Sequence, residues 1–174
     1  SAKPGDRANR GLILGFSGGA ALGSILGEKG EEGGSHTGYA MAFRIGEEAV
    51  SGLTLGLEFL GGSAKSNSDL YSVSFGGLLI QATWRPFKSA NGLIFIFGTG
   101  LGGGPIKEVG DSGFKGSVVG ALHQLGTQYD FFLGDANGRS WTISPTARFL
   151  MVPPSGNMES RLMTIMFGVE FSWY

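Results

Sequence analysis

Three stretches of this chain carry residue types able to do chemistry. Gly15-Phe16-Ser17-Gly18-Gly19 fits the G-x-S-x-G pattern of a serine nucleophile. That pattern works by standing the hydroxyl on a sharp strand-to-helix turn within reach of a histidine. Gly98-Thr99-Gly100-Leu101-Gly102-Gly103 fits G-x-G-x-x-G, whose glycines bring backbone close to a pyrophosphate held at the N-terminus of the next helix. His36, in Ser35-His36-Thr37, has the reach of a general base with Ser35, Ser68 or Asp69 as partners. Context weakens all three. Apolar and small residues keep alternating through Ser17, so a strand hydroxyl is the simpler reading. Pro105 and Gly110 follow the glycine motif where a helix is required. A single histidine in a glycine-rich loop is ordinarily just solvated. No cluster of His, Asp and Glu has metal-ligand spacing, so neither metal nor cofactor is expected.

The chemistry-bearing residues must be positioned by something, and composition narrows what. The chain has 174 residues, enough for one domain. Its net charge of −1 gives no reason to expect nucleic acid. Cysteine is absent, which excludes disulfides, thiolate metal sites and a lipidated N-terminal cysteine. Charged residues are only 16%, hydrophobic content is an ordinary 41%, and glycine reaches 33 residues. Typical soluble domains carry about 25% charge. No apolar run approaches the ~18 residues of a membrane helix. A β architecture with one face in lipid reconciles these facts.

The dominant period is two, the signature of strands. After a polar tail over residues 1–10, eight segments alternate bulky with small residues. Leu12, Leu14 and Phe16 open the first; Tyr39, Met41 and Phe43 mark the second; Leu55, Leu57 and Phe59 the third. The fourth places Tyr71, Val73 and Phe75 opposite Ser72 and Ser74, then changes phase at Gly76-Gly77, which predicts a β-bulge. The fifth carries Leu93, Phe95, Phe97 and Leu101. The sixth, over 114–131, alternates worst, because His123 falls on the face of Val119, Ala121, Leu125 and Tyr129; a second bulge turning His123 inward is expected. Trp141, Ile143 and Phe149 mark the seventh, and Met163 to Trp173 the eighth. Each segment has the ~9–11 residues a tilted strand needs to cross a bilayer. Longer polar loops, at about 27–37, 62–70, 104–114 and 153–160, alternate with shorter turns, and an even strand count puts both termini on one side.

Four charges lie well inside segments: Arg44, Glu58, Arg148 and Glu170. All sit on the small-residue face. Facing lipid, the basic ones would cost about 2–4 kcal/mol each near the midplane; facing an enclosed lumen, they can neutralise one another. The heights along the strands suggest Arg44 with Glu170 and Arg148 with Glu58. Ile13, Leu60, Ile94, Ile96 and Leu150 make part of the same face apolar, so the interior is either plugged or a narrow pocket or pore for a small or hydrophobic solute. Tyr39, Tyr71, Trp84, Tyr129, Trp141 and Trp173 stand near segment ends, where amphipathic rings favour the membrane interface.

Met163 to Tyr174 resembles the last strand of outer-membrane barrels, with Phe167, Val169, Phe171 and Trp173 at every second position and an aromatic terminus; Tyr174 lies one step out of that register. Residues 11–174 as a whole resemble the small eight-stranded class that includes outer membrane proteins A and X. The resemblance implies an all-β, eight-stranded antiparallel up-and-down transmembrane barrel, periplasmic termini, a cleaved signal peptide and a final strand recognised by the barrel-assembly machinery. It implies as partners the bilayer and its lipopolysaccharide, and a protein met by the extracellular loops. Glu28, Lys29, Glu31 and Glu32 make the first loop the leading candidate for that contact. Some small barrels of this kind transfer or remove acyl chains of lipid A with a histidine and a serine, and Thr83-Trp84-Arg85-Pro86 is loosely similar to a turn in one of them. A structural or interactive role ranks first, passive transport of a small solute second, and an acyl-modifying enzyme using His36 third.

Overall fold

A computed structural model describes residues 11–26, 32–66, 71–87, 92–108, 114–133, 141–153 and 161–174. The tail over 1–10, the turn at 135–138 and the central parts of the long loops fall outside these. Among the described residues the chain forms only strands and turns. They are β1 (Leu12–Leu26), β2 (Glu32–Val50), β3 (Leu53–Ser66), β4 (Tyr71–Trp84), β5 (Leu93–Glu108), β6 (Phe114–Tyr129), β7 (Phe131–Leu133), β8 (Trp141–Val152) and β9 (Arg161–Trp173). Each pairs antiparallel with its neighbour, β1 pairs with β9, and β6 pairs with β8 to close the wall. β6 and β7 are two parts of one stave, interrupted at Asp130. The architecture is a closed eight-stranded barrel.

Tracing one row of paired residues gives the barrel's dimensions. From Leu14 the row runs through Ile45, Leu57, Ile80, Thr99 and His123 to Met151. In the other direction it runs through Trp173 to Trp141. The two ends differ by ten residues on β8, which is the shear. With strands ~4.8 Å apart and ~3.3 Å of rise per residue, that shear tilts the strands about 40° and sets a backbone radius of about 8 Å. Each residue then climbs about 2.5 Å, so the 12 residues of β8 span about 30 Å, the thickness of a bilayer's hydrocarbon core.

The wall keeps a strict inside and outside. Phe16, Phe43, Phe59, Ile80, Leu101, Val119 and Phe167 are exposed on its outer face, while Ala21, Ala40, Leu79, Ile96 and Leu150 are buried within. At the terminal end, where β1 begins and β9 stops, β2 and β3 are joined by Ser51 and Gly52. Gly52 has φ 81°, the left-handed geometry that a two-residue hairpin demands, and its carbonyl accepts from the Arg85 amide at 2.8 Å.

Three sequence expectations change. The strands run further than the loop estimates, so residues 32–37, 62–66, 104–108 and 114 belong to the wall. The rest of those loops, with Glu28, Lys29 and Glu31, lies outside the described residues. No bulge occurs at Gly76-Gly77: β4 keeps one register against both β3 and β5. Val73 and Phe75 instead face inward from the start, and Ser74 is the residue exposed outside. Nor does a bulge turn His123 inward. The pairing of β5 with β6 is continuous from Leu93–Tyr129 to Ile106–Gly116. His123 stays outside, with its Nδ1 3.1 Å from the Thr99 hydroxyl across the pair, so two polar groups on the apolar wall satisfy each other.

Candidate functional site

The interior is filled at two successive levels. Toward the loop end, most inward positions of β1 to β4, β6, β8 and β9 are apolar, with His36, Ser66 and Thr164 as buried polar exceptions. Leu60, Phe75, Leu79, Leu122, Leu150 and Met166 form the body of one cluster, with Tyr71 and Ile106 packed against it. Of the apolar lumen residues expected from sequence, Leu60 and Leu150 belong to this plug. Ile13, Ile94 and Ile96 are equally buried but lie outside it.

Toward the terminal end the interior is ionic. Glu170 Oε1 accepts from Arg44 Nη2 at 2.5 Å and from the Ser172 hydroxyl at 2.7 Å. Its other oxygen accepts from Arg148 Nη2. Arg148 Nη1 donates to Glu58 at 2.6 Å, and Glu58 also accepts from Gln81 at 2.7 Å and Gln124 at 2.9 Å. The structure therefore brings all four mid-segment charges into one chain, Arg44–Glu170–Arg148–Glu58, with Arg148 as the bridge between carboxylates. Geometry explains why they meet: Arg44 and Glu58 are directly paired across β2 and β3, and the tilt carries β8 and β9 around to the same height.

The network reaches further than the four. Asp130, at the break between β6 and β7, accepts from Arg85 at 2.6 Å, Ser144 at 2.6 Å and the Tyr174 hydroxyl at 2.8 Å. Gln128 Nε2 donates to Asp130 at 3.0 Å and lies 3.5 Å from Glu170, linking the two groups. Three arginines therefore face three carboxylates and the level is neutral, which is the condition for keeping such groups away from water. Burial, with Asp130 beside it, pushes the Tyr174 phenol above its ordinary value. Asp130 and Arg85 were missed because the sixth segment alternates poorly and Arg85 opens a turn; Gln81, Gln124 and Gln128 do share the inward phase, which could have found them.

The last residues split by phase. Phe167, Val169 and Phe171 are exposed on the outer wall, while Tyr174 turns in and is 8% exposed. Its step out of register is thus the step that lets it cap the interior, with Arg85 stacked on its ring at 4.9 Å. Trp84, Tyr129 and Trp141 are exposed at the terminal end, where Trp141 pairs with Trp173 across β8 and β9; Tyr39 is exposed toward the loop end. Tyr71 departs from this group, because it faces inward with its ring 6.5 Å from that of His36.

Among the described residues the catalytic candidates do not assemble. His36 is buried inside β2, whereas the neighbouring Ser35 is exposed on the opposite side of the strand; Ser68 and Asp69 lie outside the described residues. Ser17 is buried in mid-strand, with no strand-to-helix turn beneath it. The 98–103 glycines belong to β5, and no helix follows among the described residues. No group of three potential metal ligands occurs among the described residues either.

Comparison with solved structures places the fold. The attachment invasion locus protein Ail of Yersinia pestis superposes with a TM-score of 0.59 at 13% identity, covering 92% of this chain and 97% of that one. Neisserial surface protein A gives 0.57 at 14% identity, covering 92% and 97%. The fold is that of the small eight-stranded outer-membrane barrels. No protein-family model matches the chain, and no curated protein matches it in sequence. At these identities the likeness is one of fold, and the side chains inside the barrel are this chain's own.

Proposed function

We propose that this protein is an integral outer-membrane barrel that acts from its surface rather than through its lumen. The wall anchors it in the bilayer, and the loops, led by the first, meet a partner outside. One observation carries the reading: the lumen is occupied at two levels, an apolar plug above a neutral ion network. A solute would have to displace both. The aromatics at the strand ends supply an interfacial girdle, and the outward Phe167, Val169, Phe171 and Trp173 suit recognition of the last strand by the assembly machinery. The Ail structure solved with the heparin analogue sucrose octasulfate offers a precedent for ligand contact on this fold.

A solute-binding barrel is the second reading, resting on a cleft lined by Leu60, Phe75, Leu122, Leu150 and Leu162. Its empty space is no more than about 260 Å³, open space included, below the ~300–1,000 Å³ of ordinary ligand sites. Two measurements test the surface reading. Purified protein in planar bilayers is expected to give no stepwise conductance; regular channel steps refute the closed lumen. Cells displaying the protein are expected to gain adherence to heparin-coated surfaces, and to lose it when 27–31 and 109–113 are replaced by Gly-Ser linkers. Equal adherence with and without the protein removes the surface role.

A further inference from the structure

The apolar outer wall is interrupted in one place. Lys65 on β3, Ser72 on β4 and Lys107 on β5 form one cross-strand row near the loop end, and both lysines are exposed. With strands ~4.8 Å apart, the two lysine backbones are about 10 Å from each other, close enough for both ammonium groups to reach one anion. The next outward row toward the terminal end is Ser63 paired with Ser74, with the compact ring of Pro105 following on β5, and the row after it is Gly61–Gly76–Gly103. Only then do bulky side chains return, with Phe59, Leu78 and Leu101 exposed. Tyr39 and Met41 stand on one side of this depression and Val119 on the other. It is about 10 Å wide and about 14 Å tall, room for one or two extended acyl chains.

Neither steric demand nor lipid exposure accounts for the patch. A Cβ at Gly61 would find its nearest atom, the Phe75 carbonyl oxygen, at 3.9 Å, so a larger residue fits there. Gly76 is tighter, with the Leu60 carbonyl oxygen 3.3 Å from its Cβ position, and Gly103 is held by its backbone, with φ 150°. Hydroxyls turned toward hydrocarbon are costly unless a polar group meets them. The lysines decide the sign of that group. Outward charges with described side chains at the loop end are all basic (Lys65, Lys107 and Arg161), whereas Glu47 lies at the terminal end.

We propose that this patch on the outside of β3, β4 and β5 docks one phosphorylated glycolipid of the outer leaflet, its phosphate between Lys65 and Lys107 and an acyl chain in the depression below. The assignment rests on the outer-membrane reading above, which puts the loop end in the leaflet where such lipids reside. Native mass spectrometry of the full chain, released from micelles containing bisphosphorylated lipid A, tests it. The unmodified protein is expected to retain one lipid. Lys65→Ala with Lys107→Ala should weaken retention about ten- to thirtyfold, at roughly 1 kcal/mol per cation near an anionic surface. Gly61→Leu, which only adds a side chain pointing into hydrocarbon, should also lower retention, and Arg161→Ala should not. Folding of each variant is read from its unboiled electrophoretic mobility, and Lys→Gln replacements serve if the alanine pair fails to fold. Equal retention by all variants, or of lipid A stripped of phosphate, or of phosphatidylglycerol, overturns the proposal. Failure here leaves the conductance and adherence results untouched, so the two readings can fall separately.

Discussion

Arg148 is the residue whose removal tests the interior most sharply. Its side chain is 1% exposed and its guanidinium serves both Glu58 and Glu170. Arg148→Met ends the neutrality of this level and leaves it one excess negative charge. Breaking a buried pair from one side costs about 3–5 kcal/mol. The lower end applies here, because Glu58 keeps two amide donors and Glu170 keeps Arg44 and Ser172. Glu58→Gln alone should cost about 2 kcal/mol, since Arg148 still holds Glu170. Combining the two restores neutrality, so the double variant should lie well above the sum of the singles, with a coupling of about 2 kcal/mol. Urea unfolding of the barrel in phosphatidylcholine vesicles, followed by tryptophan fluorescence, measures all four corners of this cycle. Additivity within about 0.5 kcal/mol would refute the claim that these charges act as one buried unit.

Further outcomes follow from the terminal cap, the last strand and the apolar plug. Tyr174→Phe removes the hydroxyl shared by Asp130 and Arg85 and should lower stability by about 1–3 kcal/mol, while Trp173→Ala should instead slow insertion into vesicles. Because the folded phenol is raised, the unfolded chain releases its proton first, near 10.0. Stability should therefore be unaffected below that value and fall as pH rises above it, by up to about 1.4 kcal/mol per unit, and Tyr174→Phe should flatten the decline. Phe75→Ala should cost about 3–4 kcal/mol by emptying part of the apolar plug. It should still give no conductance, because the ionic level remains; channel steps in this variant would mean the plug alone closes the barrel.

Much of the fold was legible because a barrel in lipid obeys one strong rule, alternation, along nearly its whole length. Phe16, Phe43, Phe59 and Phe167 announce their side of the wall without help from partners. The rule fails where outside and inside use the same residue types. On β4, Tyr71, Val73 and Phe75 are as bulky as a lipid face but belong to the plug, so a change of phase was inferred that the pairing does not contain. His123 misled for the opposite reason: a polar residue stays on the apolar wall when a neighbour one strand away, Thr99, satisfies it. The four mid-strand ions were visible as charges with nowhere else to go. Asp130 and Arg85 were not, and the glutamines showed only their inward phase, since the partners of all five depend on the shear that brings β4, β6 and β9 to one height, and no local pattern records shear.

The ion network also explains why this interior is not apolar throughout. A slip of one residue between strands turns every side chain to the wrong face and would put Arg44 or Arg148 into hydrocarbon at about 2–4 kcal/mol each. Alternation alone forbids that slip. A slip of two residues preserves the faces, and an interior of leucine and glycine would tolerate it. The chain Arg44–Glu170–Arg148–Glu58 would not, because two residues displace partners on the slipped strands by about 7 Å and take a carboxylate out of reach of its arginine. The charged level thus distinguishes registers that the apolar level cannot, and it does so across β2, β3, β8 and β9, the strands that carry its four ions. Its contribution is best sought in the uniqueness of the closed barrel, which the Arg148–Glu58 cycle addresses by asking whether the repaired double variant regains one sharp unfolding transition along with its stability.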